Sequence, residues 1–334
     1  MKKLLYLLYL PLCLLLLSCG NSKQNRNSEV AEGKPVDLLY AKRFSIVHNT
    51  DYTTVTVYNP WQNNEAYDTY YLVKDENVRV PENGHKIKIP LQSLMINSAT
   101  HLGFMELLGE LDKVKGVFSS AYIYNPTILK GVAEGKIKDL GDAFNLDIEN
   151  LILLHPQAIM TSAYNADDEN SKRMKQTGIA IIYNIEWQEK TLLGRAEWIK
   201  FMGAFFDKEQ LADSIFHSVE TRYNEIKAAA AKVQNKPGIL SGQDYRGSWS
   251  MPTGLSYNAQ LFRDAGGSYF YANDTTASGS RSSTIEEALV HFGQADVWVG
   301  ADASSLEELG SIDKKYQLFK AFKNKQVYNI NKRK

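Results

Sequence analysis

Two similar segments of the sequence place a glutamate near the start of a predicted helix. The first is NLDIENLILLHPQAIMT, residues 145–161, and the second is STIEEALVHFGQADVWVG, residues 283–300. In each, an acidic residue opens a short helix with one apolar face, and a turn leads into a buried strand. Glu149 and Glu286 occupy equivalent places. A carboxylate there favours the positive end of its helix by about 0.3–1 kcal/mol, so these residues taken alone indicate helix stabilisation.

The other reactive side chains fit no common catalytic or metal site. The sequence contains no HxH, HExxH, GxSxG or P-loop pattern. Its six histidines are scattered, at His48, His85, His101, His155, His217 and His291. Carboxylates are abundant, but any chain of this length contains pairs that resemble a glycosidase dyad. We therefore expect no enzymatic activity, no metal site and no cofactor.

The start of the chain has the pattern of an export and lipidation signal. Two lysines precede an apolar run, Leu4 to Leu17, which is shorter than the about 20 residues needed to span a bilayer. LLSC at residues 16–19 resembles the bacterial lipobox, in which the cysteine, here Cys19, is lipidated. The other of the 2 cysteines, Cys13, lies in the signal, so the exported domain has no disulfide or cysteine nucleophile. An ordinary signal peptide with an incidental cysteine is the alternative.

Composition excludes several classes of partner. The 334 residues are 44% hydrophobic and 23% charged, with a formal net charge of zero. After the signal and a polar tether, about 300 residues remain, enough for one large or two medium domains. Balanced charge gives no support for nucleic-acid binding, which favours a basic face. No second apolar stretch approaches transmembrane length, so we expect membrane attachment through the lipid anchor only.

The periodicity of the chain changes at Leu91. Before it, residues 38–90 alternate in the manner of strands, as in TTVTVY at 53–58. After it, short apolar strands alternate with helices, which indicates βαβ units on a parallel sheet. Such sheets bind ligands at the carboxyl ends of their strands. We expect these strands at residues 114–118, 158–161, 179–183, 238–241, 296–299 and 326–330.

One long helical region, residues 194–233, separates two α/β blocks. The tetrapeptide DKEQ at 207–210 resembles a capping box, so we expect a break there and a second helix from Lys208. That helix would have about 26 residues and a length of roughly 39 Å. A surface helix of a single domain is the alternative, but its position between two blocks favours a rigid connector.

Four segments, in order along the chain, match one known pattern. They are MINSATHLGFMELLGELDKVKGV (95–117), residues 145–161, WQEKTLLGRAEWIKFMGAFF (187–206) and WSMPTGLSYNAQLFRDAGGSY (249–269). They resemble the substrate-binding lipoproteins of ABC importers for iron-siderophore, haem and vitamin B12. The resemblance implies an α/β fold of two Rossmann-like lobes joined by one long α-helix, the class III periplasmic binding protein fold. His101 replaces a glutamate usual in this family.

The resemblance also implies a domain organisation. We expect, in order, a signal peptide at 1–18, the lipidated Cys19 with a flexible tether at 19–35, an N-terminal α/β lobe with extra β-hairpins at 36–193, linker helices at 194–235, and a C-terminal α/β lobe at 236–334. The family continues with a closing helix after the last strand. If Lys334 is the natural end, the second lobe lacks that helix.

Site residues follow from the resemblance. In the family an acidic residue on each lobe docks on the ABC permease dimer, and the matching residues are Glu149 and Glu286. Aromatic and basic side chains hold the ligand between the lobes. The positions expected to do so here are Tyr122, Tyr124, Tyr164, Trp187, Tyr245, Arg246, Trp249, Met251, Tyr257, Tyr271 and Arg281. Aromatic faces cover a macrocycle or catecholate, and arginine bonds to an anionic chelate.

We therefore predict a monomeric, non-enzymatic lipoprotein of an ABC importer that captures an iron chelate. A ferric siderophore is the first choice of cargo, a vitamin B12-type corrinoid the second and haem the third. No histidine falls at a predicted strand end facing the cleft, which disfavours His-ligated haem. A lipid-anchored hydrolase and an envelope sensor are the alternatives from other classes.

The expected location is the bacterial cell envelope. Gly20 follows the cysteine where aspartate would mark inner-membrane retention, so we expect a periplasm-facing membrane in a two-membrane organism and the cell surface otherwise.

Overall fold

The computed structural model describes residues 33–62, 65–142, 147–165, 169–276 and 279–329, apart from the side chain of Asn170, and forms four sheets from them. The strands are β1 (Lys34–Pro35), β2 (Phe44–His48), β3 (Thr53–Tyr58), β4 (Ala66–Val73), β5 (His85–Lys88), β6 (Leu94–Ile96), β7 (Val114–Val117), β8 (Lys138–Asp139), β9 (Ala158–Thr161), β10 (Ala180–Tyr183), β11 (Ile239–Ser241), β12 (Asp244–Tyr245), β13 (Ser248–Pro252), β14 (Ser280–Ser283), β15 (Val297–Ala301) and β16 (Val327–Asn329). The α-helices are α1 (Ala99–Leu108), α2 (Pro126–Ala133), α3 (Ile148–Leu154), α4 (Glu169–Lys175), α5 (Leu192–Phe205), α6 (Glu209–Ala231), α7 (Tyr257–Asp264), α8 (Ile285–Phe292), α9 (Leu306–Ile312) and α10 (Lys320–Lys323).

The first sheet has the order β1-β2-β3-β4-β5. Strand β3 alternates as the sequence predicts, since Val55 and Val57 are buried and its other four residues are half-buried. Strands β1 to β4 are antiparallel neighbours, but β5 pairs with β4 in parallel. Strand β5 is therefore not joined to β4 by a hairpin, because residues 74–84 cross over before the chain returns beside β4.

Two buried carboxylates attach the segment before β2 to α5 and the turn that precedes it. The backbone N–H groups of residues 39–41 donate to the Glu197 carboxylate at 2.8–3.0 Å. Those of residues 42 and 43 donate to Glu189 Oε1 at 2.8 and 2.9 Å. Backbone donors that the strands leave unpaired thus find partners, as buried N–H groups require.

The second sheet, β10-β9-β6-β7-β8, is wholly parallel. Parallel strands with helical crossovers are covered on both faces, which explains why β6 and β9 are buried at every residue. The carboxyl ends of these strands meet at one edge, which lies beside the start of α5. This sheet, with its helices and the first sheet, forms the first lobe.

The linker consists of two helices rather than one continuous helix. The break falls where the sequence predicts it, and α6 has 23 residues, about 35 Å at 1.5 Å per residue. The expected capping box is wrong: Lys208 is the cap residue and no side chain bonds to the helix start. Asp207 adopts a left-handed conformation with φ of 55°, and its carboxylate pairs with Lys74 at 2.8 Å.

The second lobe contains a parallel sheet, β11-β15-β16, and an antiparallel sheet, β12-β13-β14. The sequence predicts the first sheet but not the second, since β12 and β14 are short and rich in polar residues. An aromatic cluster forms the core between them. Its rings are Trp249, Trp298, Tyr316 and Phe319, with centroids 5.3–5.9 Å apart.

Several predictions concern residues outside the described ranges. They include the signal peptide, Cys19, most of the tether, the start of the 145–161 segment and the end of the last strand at Ile330. Across the described ranges, no helix combines the length and the apolar character that crossing a bilayer requires.

Candidate functional site

A buried polar cluster lies at the carboxyl edge of the first lobe's parallel sheet. His101 in α1 is fully buried, and its Nε2 lies 3.1 Å from the Asn184 carbonyl oxygen. The same nitrogen is 3.3 Å from Ser162 Oγ and 3.3 Å from Glu186 Oε2. The loops after β9 and β10 supply these partners. The sequence places no histidine at a cleft strand end. His101 reaches this edge because α1 begins directly after β6, but it is buried and so exposes no histidine to the cleft.

Glu186 is the charged centre of this cluster. Burial by itself would raise the pKa of Glu186, but bonds from His101 and Thr100 and the charge of Arg195 together hold that pKa below its ordinary value. Thr100 Oγ1 donates to Glu186 Oε1 at 2.9 Å. The Arg195 guanidinium lies 3.9 Å from the same oxygen. The carboxylate is thus ionised near neutral pH and partly compensated by Arg195.

Arg195 links the two lobes. Its guanidinium lies 4.5 Å from the ring centroid of Tyr257, which is the first residue of α7 in the second lobe. A cation over an aromatic face is attractive within about 6 Å. The Arg195 side chain keeps 22% of its surface exposed, so it can reach a ligand between the lobes.

Arg195 is not among the predicted site residues. One signal could have found it: the residue lies at the end of the first turn of α5, where the helix dipole disfavours a cation. Helix stability therefore does not account for a basic residue at this position, whereas the pairing of Arg195 with Glu186 does.

Three buried polar atoms without partners lie at this same edge, in the part of the chain that the structure describes. They are Asn97 Oδ1, His101 Nδ1 and Trp187 Nε1. Buried polar groups are nearly always bonded, so such atoms mark places where water or a ligand completes the structure. The Trp187 ring lies 6.3 Å from the exposed ring of Tyr164. These two predicted residues are therefore brought together.

Tyr122 and Tyr124 form a separate exposed group after β7. Both are more than half exposed. With the start of α1 they line a surface pocket of about 380 Å³. The pocket lies on the side of the first lobe that carries the loops after β6 and β7.

Some of the predicted ligand contacts of the second lobe are buried in its core. Trp249 and Met251 are fully buried in the core. Side chains alternate along β13, so these two face inward while Ser248 and Ser250 face outward. Trp249 also donates from Nε1 to the Ser241 carbonyl oxygen at 2.8 Å. Burial therefore removes Trp249 and Met251 from the set of ligand contacts.

Tyr271 is also buried, and Arg281 covers it. The Arg281 guanidinium lies 4.6 Å from the Tyr271 ring centroid and 3.3 Å from Asp274 Oδ2. Arg281 stays partly exposed, whereas the Tyr271 side chain is buried in the core. We remove Tyr271 from the set as well.

Tyr245 and Arg246 are exposed at the turn between β12 and β13. The Arg246 guanidinium lies 5.1 Å from the Tyr245 ring centroid. Tyr245 pairs with Ser248 across the two strands, so it shares the outer face of the sheet with the serines. Those serines form a row in which Ser248 and Ser282, and Ser250 and Ser280, approach within 2.8 Å at their hydroxyl oxygens. This polar row was not predicted.

Glu149 and Glu286 are exposed, and neighbours stabilise their helices instead. Asp147 accepts from Asn150 N at the start of α3. At the start of α8, Thr284 and Glu287 form a capping box. Helix capping therefore does not require the two glutamates, and the helix dipole remains as their local stabilising role because both lie in the first turn. Glu286 pairs with Lys315 at 2.7 Å, and this bond lowers its pKa.

Within the described ranges, no group of three or more histidine, cysteine, aspartate or glutamate side chains could hold a metal ion.

The comparison with known families identifies the class of protein. The profile of the periplasmic binding protein family matches residues 98–333, which is most of the chain. The chain therefore belongs to the periplasmic binding protein family. The predicted class III fold and the predicted family are confirmed.

Relatives and solved structures agree with this assignment. An uncharacterized lipoprotein of Methanocaldococcus jannaschii is 27% identical, over 98% of this chain and 87% of its own. The haem-binding protein HutB of Vibrio cholerae is 13% identical, with a TM-score of 0.56, over 72% of this chain and 91% of its own. The vitamin B12-binding protein BtuF of the same organism is 16% identical, with a TM-score of 0.55, over 73% of this chain and 89% of its own. At these identities the two structures share the fold alone.

Proposed function

We propose that this protein is an extracytoplasmic, lipid-anchored substrate-binding protein that captures an anionic metal chelate between its lobes and delivers it to an ABC permease. The family consists of binding proteins, and relatives include a lipoprotein and binding proteins for haem and vitamin B12. The single observation that carries the choice of cargo is the position of Arg195. This cation touches both lobes and stays partly exposed between them.

The surroundings of Arg195 suit an anionic ligand with aromatic or planar parts. The buried Glu186 carboxylate orients the guanidinium but leaves its exposed side free. Guanidinium groups bond to carboxylate or catecholate oxygens in a fixed, charge-assisted geometry. Trp187 adds an N–H donor without a partner in the described structure, and Tyr164 adds an exposed ring beside it. A ferric siderophore fits this chemistry better than a corrinoid.

Haem, the third choice from the sequence, is the second candidate cargo here, ahead of a corrinoid. Two solved structures with this fold, HutB and the Staphylococcus aureus protein IsdE, are described as haem proteins. Exposed tyrosines, among them Tyr122 and Tyr245, could ligate iron. His101 could not, because it is fully buried and its Nε2 already has three neighbours.

Tryptophan fluorescence tests the proposal. The chain has 5 tryptophans, and Trp198, Trp249 and Trp298 are fully buried. Trp187 is therefore the expected reporter of the cleft. We expect saturable quenching of the full-length protein by one of ferrichrome, ferric enterobactin, haemin and cyanocobalamin.

A matched variant makes the test specific. Trp187→Phe should reduce the quenching more than Trp61→Phe does, because Trp187 lies nearest the proposed ligand and Trp61 lies in the first sheet region. Absence of quenching by all four compounds in folded protein would contradict the proposed cargo class. Equal quenching in the two variants would place the ligand elsewhere.

A further inference from the structure

The helices that carry Glu149 and Glu286 present the same outer surface. Two residues after each glutamate comes a fully buried side chain, Leu151 in α3 and Ala288 in α8. Each helix therefore packs on its lobe through the same positions. The glutamates, rotated away from that contact, are exposed in both lobes.

An aliphatic side chain follows each glutamate at the same distance. Leu153 lies four residues after Glu149, and Val290 lies four residues after Glu286. Residues four apart are neighbours on a helix surface, with about 6 Å between their Cβ atoms. Leu153 is 80% exposed and Val290 is 78% exposed, the highest values among the large apolar side chains of the described ranges.

One exposed aliphatic residue needs no explanation, because much of any protein surface is apolar. The occurrence of the same arrangement in both lobes does need an explanation. The two most exposed large apolar residues of the described ranges occupy equivalent positions, one turn after equivalent carboxylates, on equivalent helices of different lobes. The Leu153 and Val290 side chains lie mostly in solvent. Packing within their own lobes therefore does not explain why large apolar residues occupy these positions.

Topology places the two surfaces in corresponding positions. Helix α3 leads into β9 and α8 leads into β15, and both strands pair in parallel with neighbours. A helix in such a crossover runs opposite to its strand, so its first turn lies toward the carboxyl edge of the sheet. The carboxyl edges are the ones that border the cleft between the lobes.

We propose that each lobe docks through a two-part surface, a carboxylate and an aliphatic side chain one turn apart. The partner that fits is the permease, with a basic side chain beside an apolar hollow on each of its two halves. This inference rests on the proposed function. The carboxylate requires a basic partner, and the seated aliphatic side chain excludes water beside the ion pair, which strengthens the pair.

The test measures transport and ligand binding in parallel. The chromosomal gene is replaced by full-length variants, and the cells take up whichever radiolabelled compound among ferrichrome, ferric enterobactin, haemin and cyanocobalamin quenches the purified protein. The variants are Leu153→Ala with Val290→Ala, and Glu149→Gln with Glu286→Gln. The control is Leu211→Ala with Val219→Ala, which changes an exposed leucine and an exposed valine on α6.

We expect uptake by the Leu153/Val290 variant to be at least about tenfold lower, because losing apolar side chains that are buried against a partner weakens the affinity for that partner by this factor. Its Kd for the compound and its Tm should equal those of the control. Uptake equal to the control, while the Glu149/Glu286 variant loses uptake, would overturn the inference and leave the proposed function intact. Normal uptake by both variants would overturn the docking assignment itself. Failure of all four compounds to bind would instead contradict the proposed function.

Discussion

Arg195 is the residue whose environment most directly determines the proposed ligand chemistry. Replacing it with glutamine removes the charge and keeps a planar polar group. We expect Arg195→Gln to weaken binding of a ferric siderophore by about tenfold to a hundredfold, because charge-assisted hydrogen bonds contribute about 1.5–3 kcal/mol. Binding of cyanocobalamin should change little. Fluorescence titration of both compounds measures the difference.

The matched control is Arg222→Gln. Arg222 lies on α6, and its mostly exposed side chain is 3.7 Å from Glu225. Its replacement should leave both affinities unchanged. Equal losses for the two arginine variants, or no loss with Arg195→Gln, would contradict a cleft role for Arg195.

Glu186 should make the free energy of unfolding depend on pH in the acid range. Although burial raises its pKa, bonding to His101 and Thr100 with the Arg195 charge lowers it below the ordinary value. The unfolded chain therefore binds this proton at a higher pH than the folded chain, and the stabilisation is present above about pH 4.3. It is lost as the pH falls through the lower folded pKa.

Urea unfolding at a series of pH values measures this effect. The free energy of unfolding should fall more steeply below about pH 4.3 in the natural protein than in Glu186→Gln. Glu225→Gln, at an exposed site, should follow the natural protein. Parallel curves for the natural protein and Glu186→Gln would show that the cluster does not favour the ionised form.

At the scale of elements, the two linker helices depend on a close approach at Gly203. A Cβ there would lie 2.7 Å from the Cβ of Ala212 in α6 and 3.1 Å from the carbonyl oxygen of Lys208. We expect Gly203→Ala to lower the free energy of unfolding by about 1–3 kcal/mol, the usual cost of overpacking. Chemical denaturation measures it.

Gly103→Ala is the control for the helix itself. Gly103 lies within α1, and nothing is within 4 Å of its added Cβ. Since glycine disfavours helix by about 1 kcal/mol relative to alanine, this change should be neutral or stabilising. A Gly203→Ala protein as stable as Gly103→Ala would mean that the helices can separate without cost.

Glu197 holds the segment before β2 against α5. Its carboxylate accepts three backbone N–H groups, and an amide in its place would direct an N–H at one of them. We expect Glu197→Gln to destabilise the protein by about 2 kcal/mol, because a buried donor loses its acceptor. Thermal and urea unfolding should show this loss, with Glu225→Gln unchanged. A normal stability would show that the Glu197 bonds are not needed to hold this segment.

The sequence predicts the strongly periodic elements and misses those determined by distant contacts. Strands β3 and β9 fall on the predicted residues, because alternation and apolar runs are local signals. Strands β12 and β14 could not be predicted, since four polar residues such as SRSS acquire strand structure only from pairing. The same limit applies to the site. Strand periodicity could have revealed that Trp249 faces inward, but only the structure shows Arg195 beside Tyr257.

At the scale of the whole molecule, the two carboxylates proposed to dock on the permease, Glu149 and Glu286, have unequal surroundings. Glu286 pairs with Lys315, whereas Glu149 has no basic side chain within 4.0 Å in the described ranges. A basic residue of a permease would have to compete with Lys315. We expect Lys315→Gln to raise uptake at limiting amounts of protein by about two- to fivefold, the range of exposed ion pairs. Lys314→Gln is the neighbouring control.

Transport assays at low and moderate salt measure this effect. The gain from Lys315→Gln should shrink as salt rises, because exposed charges are screened. Lower uptake than in the Lys314→Gln control would indicate that Lys315 itself contacts the partner.

The attachment of residues 39–41 to Glu197 also sets an order of folding. These hydrogen bonds join residues 156–158 positions apart, whereas β2, β3 and β4 pair with their immediate neighbours in the chain. Local pairings close short loops and form quickly; distant ones wait for the chain between them. The strands β2 to β4 can therefore pair before the rest of the chain folds. The sheet can reach its final position only after α5 has formed. Until then its inner face lacks the cover that it has in the folded protein, where Phe44 of β2 packs on Trp198 and Phe201 of α5.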